Sequence, residues 1–216
     1  MIDTEGVLLV FTRSPVAGET KTRLIPVLGR EGAARLHRLL LRNTLKLALQ
    51  SQFCNVELWC TPTTDHPFLQ ECSHKFAVKL CCQEGEDLGQ CMQNALASTL
   101  SRYAFAVIVG SDCPVLTTDL LNRAYLQLQS GMDALLGPSE DGGYYLFGLR
   151  RYTPPLFAGI DWGGNNVVEM TYKQLAALGW HWNALDTLWD VDRPEDMEKL
   201  KTLWPDLVQE FYAKIA

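Results

Sequence analysis

The sequence predicts a single α/β domain over residues 1–216, Rossmann-like, with a mostly parallel central sheet and helices on both faces. Short runs rich in aliphatic and aromatic residues alternate with longer segments of helical periodicity, which is the pattern of such sheets. The strand-like runs are apolar throughout rather than alternating, as in parallel strands that are buried on both faces. With 216 residues, 47% of them hydrophobic, the chain can bury a sizeable core without disulfide bonds.

The first half of the sequence begins with a buried strand at residues 6–12 (GVLLVFT), which is short and apolar. Residues 31–50 follow as a long helix, because leucines recur at helical spacing on one side. Strand-like runs at 55–61 (NVELWCT) and 76–82 (FAVKLCC) come next, and residues 88–102 have helical periodicity.

The second half opens with residues 103–109 (YAFAVIV), which form the most strand-like run of the chain and are expected at the centre of the sheet. Short strands at 133–136 and 144–148 flank the turn PSEDGG. The remaining predicted elements are helices, at residues 118–129, 166–178, 194–203 and in the tail up to 216.

Charge and composition exclude several classes of protein. Nineteen basic and twenty-five acidic residues give a net charge of −6, which argues against nucleic acid as the main partner. The longest apolar run, at residues 104–109, is too short to span a membrane. The first residues, MIDTEG, lack the basic charge of a signal peptide, and the seven cysteines and four histidines show neither zinc-type spacing nor a triad-like arrangement. A reduced, cytoplasmic protein is expected, of undetermined oligomeric state.

The segment after the first strand (TRSPVAGETKTRL) concentrates basic residues in an acidic protein. Ligands of open parallel sheets bind beyond the carboxyl ends of the strands, where this loop is expected. Arg13, Lys21 and Arg23, with Gly18 keeping the backbone accessible, could bind a di- or triphosphate. The alternative is a solvated surface loop. The spacing matches neither a Walker A loop nor GxGxxG, so no dinucleotide cofactor is predicted.

Aspartates follow two other strand regions and could bind Mg²⁺ or Mn²⁺. Asp112, in VGSDCP, lies directly after the central strand, although it could also be an ordinary turn residue before proline. In WDVDRPED, Asp190 and Asp192 point to the same side if the segment is extended. Asp192 could instead cap the helix that follows, whereas Asp190 has no such structural role.

Two acidic turns complete the set of candidates. In PSEDGG, Glu140 or Asp141 could act as a general base, and Gly142 and Gly143 would let a substrate approach the main chain; an ordinary hairpin turn is the alternative. In QEGEDLG, Asp87 could contact a base or ribose of a nucleotide, or simply cap a helix.

Six ordered motifs resemble a bacterial family of GT-A-like transferases, labelled glycosyltransferases of the arsenosugar-biosynthesis type. The resemblance spans roughly residues 7–200 and rests on FTRSPVAGETKTRL, QEGEDLGQCM, GSDCPVL, PSEDGGYYLFGL, GIDWGGNNVVEMT and DVDRPEDM. More distantly, the layout is similar to 2-phospho-lactate guanylyltransferase and the molybdenum-cofactor guanylyltransferases. The resemblance implies the nucleotide-diphospho-sugar transferase fold.

The same resemblance implies roles for particular residues. Lys21 and Arg23 would bind nucleotide phosphates, Asp112 the metal, and the DVD aspartates a second metal or phosphate site. The EDGG turn, with Tyr144 beside it, would lie on the acceptor side, and so would the loop at Trp162. Two positions depart from the family pattern: a single aspartate, Asp112, stands where glycosyltransferases have D-x-D, and Trp162 precedes Gly-Gly where relatives often have WGT.

The leading functional hypothesis is therefore a metal-dependent glycosyltransferase that takes a sugar from a nucleotide sugar to a small hydroxyl acceptor. Asp112 would act through the metal, and Asp141 or Glu140 would deprotonate the acceptor. A nucleotidyltransferase that couples an NTP to a phosphorylated acceptor and releases pyrophosphate is the alternative. A nucleotide-binding module without catalysis is the third.

Overall fold

Seven strands form one sheet in the computed structural model, which describes residues 3–205. The strand order is β3-β2-β1-β4-β6-β5-β7, and among the described strands only β6 runs antiparallel to its neighbours. The strands are β1 (Asp3–Arg13), β2 (Asn55–Thr61), β3 (Lys79–Cys82), β4 (Tyr103–Gly110), β5 (Ala134–Pro138), β6 (Tyr144–Leu149) and β7 (Trp182–Ala184). The predicted mostly parallel α/β sheet is confirmed, and β4 lies at its centre.

Within residues 3–205, six α-helices cover both faces of this sheet. They are α1 (Ile25–Gln50), α2 (Pro67–Phe76), α3 (Leu88–Leu100), α4 (Thr118–Gln129), α5 (Val167–Ala177) and α6 (Asp196–Leu203). None of the helices in the described ranges is long and apolar enough to cross a membrane.

Alternate side chains of β1 divide the core into two layers. Leu8 and Val10 pack with buried residues of α1, α2 and α4, whereas Leu9 and Phe11 pack with α3 and α5 on the other face. A third cluster joins the first turns of α1 to α6 and to Val191. This cluster holds the segment before α6 against the loop that follows β1, so that two distant parts of the chain meet at one edge of the sheet.

Several boundaries differ from those that the sequence predicts. The long helix begins at Ile25, but Gly29 interrupts it with φ 68° and ψ 170°, so the predicted start at residue 31 marks the part beyond this kink. Helix α2 was not predicted; the His66 ring accepts a hydrogen bond from the Phe68 N–H and caps it, and β3 consequently begins at residue 79 rather than 76. Strand β7 has only three residues and was also missed. The predicted tail helix beyond residue 205 lies outside the described residues.

Candidate active site

A cleft of about 770 Å³ opens at the carboxyl ends of the parallel strands. The ends of β1, β2 and β4 contribute to it, and so does the start of β6, because this strand runs in the opposite direction. Ligands of open α/β sheets bind at this edge. The predicted site residues that line the cleft are Arg13, Lys21, Arg23, Asp87, Asp112, Tyr144, Asp190 and Asp192.

Asp112, directly after β4, lies between two basic side chains. Its Oδ2 is 2.8 Å from Nζ of Lys21, and its Oδ1 is 3.3 Å from Nδ1 of His37 on α1. Burial alone would raise the pKa of Asp112, but the charge of Lys21 and the contact with His37 outweigh it and hold this pKa well below its usual range. Asp112 is therefore an anion at any physiological pH and can act as a metal ligand.

The Lys21 side chain is almost fully buried, at 4% exposure. Its backbone has a left-handed conformation, with φ 52°, at the start of a short 3₁₀ helix, Thr22–Leu24. Besides its ion pair with Asp112, Nζ donates a hydrogen bond to the carbonyl of Val191. Lys21 thus joins the loop after β1 to the loop after β4 and to the segment that precedes α6.

Asp190 lies in that same segment, and its environment is short of positive charge. Burial, followed by the negative charges of Asp141 and Asp112, raises the pKa of Asp190 to about 6, while Lys21 lowers it. The N–H of Val191 donates to the carbonyl of Asp112, which places Asp190 beside the loop after β4. Asp190 therefore lies near two other carboxylates and one lysine, an excess of negative charge that suits a cation.

Asp192 lines the cleft together with Asp190, as the extended-segment prediction requires. The alternative that Asp192 caps α6 is wrong. Its carboxylate forms an ion pair with Arg23, while the carboxylate of Asp196 accepts hydrogen bonds from the backbone N–H groups of Asp192 and Arg193. Residue Glu195 holds the N-cap position of α6 without a side-chain hydrogen bond, and the Asp196 carboxylate instead reaches back to the segment before the helix.

The EDGG turn between β5 and β6 is shaped by Asp141. Its Oδ1 accepts hydrogen bonds from the Ser139 hydroxyl and from the N–H of Gly143. Gly142 has φ 89°, and a Cβ there would lie 1.8 Å from the carbonyl oxygen of Asn165, so only glycine fits. Asp141, Gly142 and Gly143 are not among the cleft-lining residues, although Asp141 lies near enough to Asp190 to affect its pKa.

Glu140 is directed differently from Asp141. Its Oε2 is 2.8 Å from Nζ of Lys199 on α6, both side chains are about half exposed, and Glu140 does not line the cleft. Of the two acids of this turn, Asp141 is the one that affects the pKa of Asp190.

Of the remaining predicted residues, Asp87 and Tyr144 line the cleft, whereas Trp162 and Gly18 do not. Asp87 caps α3 by accepting a hydrogen bond from the Gln90 N–H, and it also lines the cleft, so both roles foreseen for it are compatible. Burial raises the pKa of Tyr144 well above 10, which keeps its hydroxyl protonated. Trp162 packs behind Tyr144 and fits against α3 only because residue 89 is glycine. Gly18 has φ 92° and lies outside the cleft lining.

Sequence reasoning missed two important residues of this site. His37 contacts Asp112, and the Gln83 side chain donates to the carbonyls of Thr12 and Trp59, which holds the ends of β1 and β2 together at the cleft. The sequence does contain a hint of the role of His37, because it is a titratable residue on the mostly apolar, buried side of the long helix. Gln83 carries no comparable signal.

The donors of the cleft fit a divalent cation of the hard type. Asp112 and Asp190 supply carboxylate oxygens, which Mg²⁺ and Mn²⁺ prefer. Within the described residues, no group of three or more His, Cys, Asp or Glu side chains is arranged to hold a metal ion unaided. This fits Mg²⁺, which is typically bound through one or two carboxylates together with water and substrate phosphates.

Proteins of known structure share this fold. A protein from Desulfovibrio desulfuricans G20, provisionally described as a nucleotide-diphospho-sugar transferase, is 31% identical, with a TM-score of 0.80 over 88% of this chain and 83% of its own. Glucosyl-3-phosphoglycerate synthase from Mycobacterium tuberculosis, in complex with Mn²⁺, UDP and glucosyl-3-phosphoglycerate, has 10% identity and a TM-score of 0.54 over 91% and 75%. Inositol-1-phosphate CTP transferase from T. maritima has 12% identity and a TM-score of 0.55 over 98% and 96%.

The fold is thus that of the nucleotide-diphospho-sugar transferases, and the chain groups with transferases that use nucleotides. It belongs to the bacterial family described as "Uncharacterized protein conserved in bacteria (DUF2064)", whose model matches residues 44–164. This membership fits the resemblance that the six motifs carry. No curated protein matches the sequence.

Proposed function

We propose that this protein is a metal-dependent glycosyltransferase, which moves a sugar from a nucleotide sugar to the hydroxyl of a small acceptor. The observation that carries the proposal is the meeting of Asp112 and Asp190 with the basic loop after β1 in one cleft at the carboxyl edge of the sheet. The fold shared with the UDP-bound glucosyl-3-phosphoglycerate synthase supports it.

Arg13 is the first contact that we propose for the donor diphosphate. It lines the cleft and is exposed, and no ion pair of Arg13 occurs among the described residues, whereas Lys21 and Arg23 are each paired with an aspartate. An arginine without a carboxylate partner can bind phosphate without first breaking an ion pair. Lys21 and Arg23 would add positive charge from the same loop.

Asp112 and Asp190 are the residues that would hold Mg²⁺ or Mn²⁺. Such an ion would act as a Lewis acid that neutralises the diphosphate. Asp192 was predicted as a further ligand, but its ion pair with Arg23 favours Asp190 as the second one. Asp192 would instead orient Arg23 towards the donor.

Residues of the chain would then carry out the proton transfer and stabilise the leaving group. The acceptor oxygen bonds to the anomeric carbon of the sugar while the bond from this carbon to the diphosphate oxygen breaks, and the nucleoside diphosphate leaves with the electron pair. Asp141 would take the acceptor proton, and Lys21 and Arg13 would stabilise the charge on the leaving group. Tyr144, which stays protonated, would line the acceptor side.

Nucleotidyl transfer is the second candidate, and one observation favours it. Asp112 stands alone after β4, without the second aspartate of a D-x-D motif, and its partner Asp190 comes from a distant segment. In that reaction an acceptor phosphate oxygen bonds to the α-phosphorus of an NTP, and pyrophosphate leaves. The shared fold of a CTP transferase is consistent with it.

The product separates these reactions. We expect nucleoside diphosphate to be released when the protein is incubated with Mn²⁺, a panel of nucleotide sugars and small hydroxyl acceptors, and Asp112→Asn to release none. Pyrophosphate release from NTPs would instead establish the second candidate, and binding without turnover would indicate a non-catalytic module. Failure to bind any nucleotide would refute all three. We propose the cytoplasm as the location, because the cysteine pattern is that of a reduced protein.

A further inference from the structure

His37 is the only histidine among the residues that line the cleft, and it is buried, with 3% exposure. It projects from α1 at a position where the neighbouring helical turns bury leucines and alanines. Its Nδ1 lies 3.3 Å from Oδ1 of Asp112, and its Nε2 lies 3.0 Å from both the Thr12 hydroxyl and the Arg13 carbonyl oxygen. The ring therefore spans the ends of the adjacent strands β1 and β4.

The two oxygens of Asp112 have different surroundings because of this ring. Oδ1 faces His37 and also the Ser111 hydroxyl, at 3.4 Å, whereas Oδ2 faces Lys21. The Arg13 carbonyl can only accept a hydrogen bond, so Nε2 donates to it, and this fixes the orientation of the ring; Nδ1 then contacts Oδ1 of Asp112 without an aligned hydrogen bond. A buried ring held in this way can restrict rotation of the Asp112 carboxylate.

We propose that His37 is a positioning residue, which holds Oδ1 of Asp112 so that Oδ2 is presented to the metal and diphosphate in the cleft. The inference rests on the proposed function, in which Asp112 is a metal ligand. Partners of ligating carboxylates commonly change metal affinity by about 10- to 100-fold when they are removed. A purely structural His37 would affect folding stability and leave metal affinity unchanged.

Two kinds of substitution distinguish these roles. An asparagine side chain can place its amide nitrogen near the position of Nδ1, whereas glutamine places it near the position of Nε2. His37→Asn should therefore keep the contact with Asp112, and His37→Gln should keep only the contact with the Arg13 carbonyl. His37→Leu removes both. Thr44→Val is the matched control, because Thr44 is a buried polar residue on the same helix, two turns away, and bonds only to the Leu40 carbonyl.

The experiment measures binding of pyrophosphate with and without Mn²⁺, since pyrophosphate carries the diphosphate but no base. We expect His37→Gln and His37→Leu to weaken Mn²⁺-dependent binding by about 10- to 100-fold, and His37→Asn to stay within a few-fold of the unaltered protein. Binding without Mn²⁺ should be equal in all of them. Melting temperatures measured in parallel should fall for Thr44→Val without any change in Mn²⁺-dependent binding.

Equal Mn²⁺-dependent binding by His37→Leu and the unaltered protein would overturn the positioning role while leaving the metal assignment intact. Equal losses in His37→Asn and His37→Gln would also overturn it, because the contact at Nδ1 would then not matter. If Mn²⁺ adds nothing to pyrophosphate binding by the unaltered protein, the metal assignment of the proposed function fails as well. If His37→Leu does not fold, the comparison of His37→Gln with His37→Asn still tests the proposal. If one of these two amide variants does not fold, His37→Leu compared with the unaltered protein tests it.

Discussion

Arg23 and Asp192, 169 positions apart in the chain, form an ion pair between the loop that follows β1 and the segment that precedes α6. Both residues line the cleft. Together with the contacts of the buried Lys21 side chain, this pair joins the loop after β1 to the segment that carries Asp190. The Arg23–Asp192 ion pair is open to solvent because Arg23 is exposed, whereas the Lys21 side chain is buried.

Arg23→Ala should change stability little and ligand binding more. Exposed ion pairs contribute roughly 0–1 kcal/mol to folding, whereas losing a charge-assisted contact to phosphate costs about 1–2 kcal/mol of binding free energy. Melting temperature and calorimetric titration with pyrophosphate measure the two quantities. Arg193→Ala is the control, since Arg193 is exposed in the same region but does not line the cleft. Equal pyrophosphate affinity in both variants would mean that Arg23 does not contact phosphate.

Asp112→Asn should lower the free energy of unfolding by about 3 kcal/mol, because it removes the carboxylate that pairs directly with the buried ammonium of Lys21. Adding Lys21→Met should restore most of this stability, since the double variant no longer buries an ammonium that has lost its directly paired carboxylate. Neither variant should show Mn²⁺-dependent binding of a diphosphate. Urea unfolding and Mn²⁺ titration test both statements; recovery of metal binding in the double variant would contradict the assignment of Asp112.

Asp190→Asn should stabilise the protein at neutral pH but not in acid. The folded-state pKa of Asp190, about 6, lies above its unfolded value near 3.8. Asp190 therefore favours folding below about pH 4, and this contribution is lost as the pH rises through 6. We expect the variant to be more stable than its parent by about 2 kcal/mol at pH 7.5 and equally stable near pH 4. Urea unfolding at both pH values measures this, and a difference that does not change with pH would be evidence against the raised pKa.

Asp141→Asn should preserve the turn and remove the proposed base. Asparagine retains an oxygen that can accept hydrogen bonds from Ser139 and Gly143, so the backbone of the turn should persist. Turnover should fall by about 10²- to 10⁴-fold with little change in donor affinity. Glu140→Gln is the matched control and should retain activity, because Glu140 pairs with Lys199 away from the cleft. A parallel loss of donor affinity in Asp141→Asn would place this residue at the nucleotide instead.

The sequence predicts the sheet well where the signal is local. The predicted bounds of β2 and α4 agree with the structure, because apolar strand residues and amphipathic helical spacing identify such elements without reference to the rest of the chain. Helix α2 was missed because only three of its residues are buried, and β7 because three residues are too few to show a period.

The site is only partly predictable for a similar reason. The candidate loops could be named, since each follows a strand and the carboxyl ends of parallel strands meet at one edge. The pairing within the cleft could not, because it joins residues far apart in the chain: Asp192 to Arg23 rather than to its own helix, and His37 to Asp112. Burial by distant segments also raises the pKa of Asp190, which no local pattern reveals.

The reversed direction of β6 has a consequence for how this site can diversify. Because β5 and β6 form a hairpin, the cleft-lining residues Ser139, Tyr144 and Tyr145 all come from one short piece of chain, whereas the opposite wall combines loops that are far apart in sequence. Substitutions or insertions confined to the hairpin can alter one wall without disturbing the Lys21–Asp112 contact. Under the proposed function, acceptor choice and phosphate binding would therefore depend on separate parts of the chain, which can change at different rates.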